Sequence, residues 1–200
     1  MAAEFSHFYT KTDRTLNISA FSRFSLNKQR ALLRLWLNEQ NLPMPSQVQL
    51  NQLLKDVVLA RQDANPEFLL TSKVIRRYRD KLYLTEKLAD LSHLKIAVTF
   101  DQQIVLPDNL GKLKVTKDAQ SIRIFWNDHE VQLPFTEQQI QIRFSYAGKV
   151  RLTRKGARQD IKKIWQHLGV PPWQRNRIPL IFYGEDLKSA VGFFNVFEDN

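Results

Sequence analysis

The sequence predicts an α+β protein, with a helical unit that carries a β-hairpin followed by a small mixed α/β, β-rich unit. Three observations predict it. Apolar residues recur at helical spacing between about residues 27 and 58. They alternate at strand spacing in several runs after residue 68. A short amphipathic helix, closed by a glycine and a Pro-Pro pair, interrupts those strands near residue 165. The expected boundaries are 1–14 for a connector, 15–88 for the helical unit and 96–197 for the α+β unit.

Each element has its own signal. Leu32, Leu33, Trp36 and Leu37 form one arc of a helix from about Asn27 to Asn41, flanked by Arg30 and Arg34. Pro43 and Pro45 break the chain. Ser46 and Gln49 then have capping-box spacing. Leu50, Leu53, Leu54, Val57 and Val58 follow at helical intervals, and Asn65-Pro66 ends the unit. Thr71–Tyr78 and Leu82–Thr85 flank Arg79-Asp80-Lys81, a predicted hairpin tip. Residues 86–95 read as a connector. Ser121–Trp126 is a predicted strand, and Asn127-Asp128 a turn. In Gln139–Tyr146, Ile140, Ile142, Phe144 and Tyr146 share one side. A helix from about Ala157 to Leu168 would bury Ile161, Ile164, Trp165 and Leu168, with Gly169 at its C-cap. Ile178–Tyr183 and Leu187–Phe194 read as a closing hairpin around Gly184-Glu185-Asp186.

Composition narrows the function classes. At 43% hydrophobic and 11% aromatic, the 200 residues can fill real cores. There is no cysteine, hence no disulfide framework and no thiolate metal site, as in a reducing compartment. No run approaches the ~18 apolar residues of a membrane span. The first residues lack the apolar core of a secretory signal, so a cytoplasmic protein is expected.

Charge is the sharpest signal. Between Lys149 and Arg177 stand nine Lys or Arg and a single acid, Asp160, a net +8 in a protein of net +10. Prolines and tryptophans inside the stretch indicate a folded surface and not a basic tail. Unrelieved like charge destabilises a fold, so a polyanionic partner is expected, with nucleic acid favoured by the pI near 9.9. Arg154, Lys155, Arg158, Lys162, Lys163 and Arg175 are the candidate phosphate contacts. Lys155, Arg158 and Lys162 line one helix flank and Lys163 the opposite one. A second basic site is the hairpin with Arg76, Arg77 and Arg79. There, phosphate contact and a charged edge that blocks aggregation both remain open. Trp36 and Trp165 lie on apolar helix faces and read as core. Trp173, in a loop between Pro172 and Gln174, is open to a base.

Other chemistry is poorly represented. The six glycines are isolated and give no Walker or Rossmann spacing. His7, His93, His129 and His167 are scattered singly, with no ligand-spaced partner for a metal. Glu185 and Asp186 sit in a predicted turn, where acids are common. No nucleophile and base stand together, so neither catalytic residues nor metal ligands are expected in this chain.

Three segments carry a family resemblance: RALLRLWLNEQNLPMPS (30–46); VVLARQDANPEFLL (57–70) with VIRRYRDKLYL (74–84); and IKKIWQHLGVPPWQRNRIPLIFYGEDL (161–187). Together they closely resemble the C-terminal half of the bacterial tRNA(Ile)-lysidine synthases, over about residues 15 to 195. In that family an N-terminal ATP-pyrophosphatase domain uses ATP and magnesium to adenylate the wobble cytidine of the CAU-anticodon isoleucine tRNA. Lysine then displaces AMP. The domain's Ser-Gly-Gly-x-Asp-Ser hallmark does not occur in this sequence. The resemblance therefore implies two tRNA-gripping modules: a helical substrate-recognition domain and a C-terminal domain similar to one in phenylalanyl-tRNA synthetase. It implies no cofactor in this chain and no catalysis by it alone. Lys162, Lys163 and Arg175 fall in the matching motif as implied tRNA contacts, and Arg76 and Arg77 in the family's Ile-Arg-Arg-Tyr hairpin. A module docking an acidic partner, such as a separately encoded catalytic domain, is the alternative.

Overall fold

The computed structural model describes residues 2–61 and 63–198. The chain divides between Leu88 and Ala89 into two compact units, and its mixture of helices with antiparallel sheets is an α+β fold.

The first unit opens with a helical turn, α1 (Ala2–Phe5), and two short strands, β1 (Tyr9–Thr10) and β2 (Thr15–Asn17). Part of the segment expected as a connector thus belongs to the folded unit. Phe5 is buried, and Phe8 and Tyr9 pack on the core. Met1 of that segment lies outside the described residues. After a 3₁₀ turn at Phe21–Arg23 comes α2 (Leu26–Glu39), capped by the Ser25 hydroxyl, which accepts from the Lys28 N–H. The predicted arc of Leu32, Leu33, Trp36 and Leu37 is wholly buried. The Trp36 indole N–H donates to the Arg14 carbonyl at 2.9 Å. Arg30 and Arg34 tie α2 to α3 (Gln47–Leu53) by donating to the Asn51 and Gln47 side chains. The capping box forms as expected: Ser46 Oγ accepts from the Gln49 N–H and Gln49 Oε1 accepts from the Ser46 N–H. Leu54–Val58 continue as a π-helical turn, which keeps Leu54, Val57 and Val58 buried.

The expected hairpin is the centre of a larger sheet. β3 (Glu67–Leu70), β4 (Lys73–Tyr78) and β5 (Lys81–Glu86) join the first two strands in the order β1-β2-β5-β4-β3, antiparallel throughout. Tyr78 pairs with Lys81, so the tip is Arg79-Asp80 alone, and Lys81 already belongs to β5. Strands of two to four residues offer too few positions for a periodicity, which is why β1, β2 and β3 were not legible.

The second unit holds two larger sheets and one small ribbon. Its strands begin with β6 (Lys95–Ala97), β7 (Gln103–Val105), β8 (Lys112–Lys117), β9 (Ser121–Trp126) and β10 (His129–Pro134). After β11 (Ile140–Arg143), β12 (Lys149–Val150) and β13 (Gln159–Asp160) come α4 (Ile161–His167) and α5 (Pro172–Arg175). β14 (Leu180–Tyr183), β15 (Asp186–Ala190) and β16 (Phe194–Asn195) close the unit. One sheet runs β10-β9-β8-β7, the other β16-β15-β14-β11-β6, and β12 pairs with β13. The Asn127-Asp128 turn joins β9 to β10 as expected, with Trp126 opposite His129.

β14 shows how this unit is layered. Its four residues, Leu-Ile-Phe-Tyr, are all buried. Ile181 and Tyr183 belong to a core shared with Ile122, Ile124 and Val115 of the four-stranded sheet. Leu180 and Phe182 belong to another core, with Ile161, Ile164 and Trp165 of α4. A strand covered on both faces is apolar throughout, not alternating. The five-stranded sheet therefore separates the two cores, and α4 lies on the face away from the four-stranded sheet.

Candidate nucleic-acid interface

The basic stretch becomes one folded corner of the second unit. Lys149 and Val150 pair antiparallel with Asp160 and Gln159. This ribbon closes a loop from Arg151 to Arg158. Arg158 donates across its base to the Lys149 carbonyl at 3.0 Å. α4 follows without a gap. The stretch's single acid is not spent on the neighbouring cations: the Asp160 carboxylate caps α4, accepting from the Lys162 backbone N–H at 2.8 Å.

The helix is shorter than the expected Ala157–Leu168. Residues 157–158 are loop and 159–160 are strand. Ile161, Ile164 and Trp165 are buried as expected, but Leu168 is 46% exposed. The helical phase that would have buried it has ended one residue earlier. Gly169 then turns the chain with a φ of +70°, which a side chain disfavours, and Val170 returns to the core. The rest of the turn is set by Pro171-Pro172 and α5. Arg175 Nε donates to the Val170 carbonyl at 3.0 Å, which braces α5 against that turn.

The predicted residues separate into two groups. Arg154, Lys155, Arg158, Lys162 and Lys163 are exposed, and Trp173 and Arg175 half-buried. Among the described residues, no carboxylate forms a salt bridge with Arg154, Lys155, Arg158, Lys162, Lys163 or Arg175. Lys149, a residue sequence reasoning left out of its candidates, is exposed beside them, with its strand pairing as the missed signal. Arg177 lies apart from this set. Its guanidinium pairs with Asp108 and also donates to the Asp108 carbonyl at 2.8 Å. The Ala89 N–H, with help from Arg177, holds the Asp108 carboxyl below its ordinary range.

The hairpin arginines belong to the other group. Arg76 and Arg77 are buried. Arg76 Nε donates to Thr85 Oγ1 at 3.0 Å, and its guanidinium pairs with Glu67 on the adjacent strand. Arg77 donates to the carbonyls of Val58, at 2.8 Å, and Arg61, so it closes the end of the π-helical turn. Burial pushes its guanidinium down from its ordinary value. Neither the phosphate nor the exposed-edge reading of these two fits such surroundings. Their geometry gives them a structural part instead. Arg79 alone of the three is exposed, at the hairpin tip and over the Tyr78 ring.

Two hollows adjoin the corner. A groove of about 480 Å³ is lined both by Lys149, Arg151 and Arg158 and by Glu185, Asp186 and Glu198. A smaller cavity of about 200 Å³ lies among Tyr146, Lys162, Trp165, Pro172 and Arg175. The described residues offer no group of three His, Cys, Asp or Glu placed to hold a metal ion. No helix among the described residues is long and apolar enough to cross a membrane.

One family domain falls within each folded unit. The model described as the TilS substrate binding domain matches residues 16–83, and that of the TilS substrate C-terminal domain matches residues 140–197. A substrate-binding and a C-terminal module of a tRNA-modifying family are therefore joined in one chain. The chain belongs to the tRNA(Ile)-lysidine synthase family. The tRNA(Ile)-lysidine synthase of Haemophilus influenzae (strain PittGG) is 54% identical over 180 residues, which is 90% of this chain and 41% of the relative. That of Actinobacillus succinogenes is 48% identical over 197 residues, 96% of this chain and 46% of the relative. That of Serratia proteamaculans is 38% identical over 194 residues, 97% of this chain and 42% of the relative. The chain thus spans less than half the length of the relatives it matches.

Proposed function

We propose that this chain is the RNA-holding part of a tRNA(Ile)-lysidine synthase, whose reaction joins lysine to the wobble cytidine of CAU-anticodon isoleucine tRNA. One observation carries the reading. Five cations predicted to meet phosphate are exposed at one folded corner, and the only acid of their stretch is occupied as a helix cap. Cations held without a carboxylate partner raise the potential of the surface, which a polyanion relieves. The ribbon, its loop and α4 would neutralise phosphates of the tRNA acceptor arm, reading A-form backbone more than base sequence. Catalysis would fall to an ATP-pyrophosphatase domain acting on the anticodon while these modules hold the rest of the molecule.

Filter binding of isoleucine tRNA at graded salt tests this. The logarithm of the affinity should fall linearly with the logarithm of salt. Charge reversal at Lys162 and Lys163 together (Lys162→Glu, Lys163→Glu) should weaken binding and lower the slope by about 2. A salt-independent affinity, or none for tRNA, would overturn the proposal. Tight association with an acidic protein in place of RNA would favour the docking-module alternative.

A further inference from the structure

The smaller cavity is shaped differently from a surface that only neutralises phosphates. Much of its lining is apolar and aromatic, with Tyr146, Trp165, Pro172 and Leu180 among it. Lys162, Arg175 and Asn176 supply polar groups to the same lining. We infer that this cavity takes the base of one unpaired nucleotide at the single-stranded end of an RNA stem, with Lys162 and Arg175 meeting its phosphate. The inference rests on the RNA-holding reading above and adds to it a distinct subsite.

Size and chemistry support a single base. Pockets for drug-sized ligands run from ~300 to 1,000 Å³. At about 200 Å³, this one is below that range, a volume that suits one planar base with its sugar and phosphate left outside. A duplex keeps its base faces stacked, so only an unpaired nucleotide can present one. An aromatic lining beside a cation is how proteins hold single-stranded nucleotides without reading a long sequence.

The walls are held in place before any ligand arrives. Trp165 is buried and meets Phe193 edge-on at 5.6 Å between ring centroids. Tyr146 lies so close to Gly148 that a Cβ there would come 2.7 Å from the tyrosine hydroxyl oxygen. Glycine at 148 therefore gives the ring its position. Arg175 is fixed through its Nε, and no carboxylate among the described residues pairs with Arg175 or Lys162.

The test compares two RNAs by fluorescence anisotropy on the full 200-residue chain. One is a blunt acceptor-stem duplex, and the other is the same duplex with a four-nucleotide single-stranded 3′ end. The overhang should tighten binding about tenfold, the scale of one stacked base. Asn176→Trp, which fills the mouth from an exposed position, should remove that gain and leave blunt-duplex affinity unchanged. An overhang carrying 4-thiouridine should crosslink to Tyr146 or Asn176. Equal affinity for the two RNAs, or crosslinks confined to residues away from the cavity, would overturn the subsite while leaving the RNA-holding proposal standing. Failure of both RNAs to bind would sink the RNA-holding reading and the subsite with it.

Discussion

Arg77 and Lys162 carry the same charge and have opposite surroundings. The Arg77 guanidinium is buried under β4 and bonds the carbonyls of Val58 and Arg61. Lys162 is exposed on α4, and no carboxylate among the described residues forms a salt bridge with it. Removing Arg77 leaves buried acceptors unsatisfied, so Arg77→Ala should lower stability by about 2–3 kcal/mol, read by urea unfolding. Reversing Lys162 should leave stability within about 0.5 kcal/mol, as for an ordinary surface change, while weakening RNA binding. A third position ties stability to pH. The Asp108 carboxyl is lowered in the folded protein by the Ala89 N–H and by Arg177. A depressed folded value stabilises above the unfolded one and is lost as pH falls through the folded one. Unfolding free energy should therefore decline as pH drops below about 4, and Asp108→Asn should flatten part of that decline.

Among the elements, the short helix α4 is held from three sides. Asp160 caps its start, Trp165 and Ile164 anchor its face, and Gly169 ends it. Asp160→Ala should cost about 1 kcal/mol of stability, measured by thermal or urea unfolding. It also removes the stretch's only negative charge, so affinity for RNA should hold or rise in molecules that remain folded. A loss of affinity with unchanged stability would mean that the carboxylate itself faces the ligand. β14 is the other element with a double duty. Phe182 is one of its residues facing α4, and Phe182→Ala should destabilise by about 3–5 kcal/mol through the cavity it leaves.

Across the molecule, each unit buries its own apolar residues. The first core collects Trp36, Phe21 and Leu82, and those of the second unit collect Phe144, Phe182 and Trp165. Hydrogen exchange should therefore localise mutational damage. Arg77→Ala should loosen protection among residues 2–88, and Phe182→Ala among residues 89–198, each with little effect on the other unit. The charge is equally uneven. The corner from Lys149 to Lys163 offers six exposed cations, Lys149, Arg154, Lys155, Arg158, Lys162 and Lys163, while Arg177 is already neutralised by Asp108. The salt slope of RNA binding should reflect cations of the first kind and be unaffected by Arg177.

Much of this organisation is readable from residue order. Local sequence signals place α2, α3, β9 and the Asn127-Asp128 turn, since each depends on neighbours within a few positions. The same is true of the capping box at Ser46 and of the concentration of charge after Lys149. Residue order also carries the family resemblance, because its motifs are long and local. Tertiary structure alone decides which charges are available. Arg76, Arg77 and Arg79 are nearly adjacent in sequence, yet a strand inserted into a five-stranded sheet buries two of them and leaves one at the tip. Arg177 closes the basic stretch but pairs with an aspartate 69 positions away. The cavity beside Lys162 likewise brings together β11's continuation, α4, α5 and β14. Periodicity reports the face a side chain takes on its own element. Burial, pairing and enclosure depend on what packs against that face, and that is settled only by contacts between residues distant along the chain.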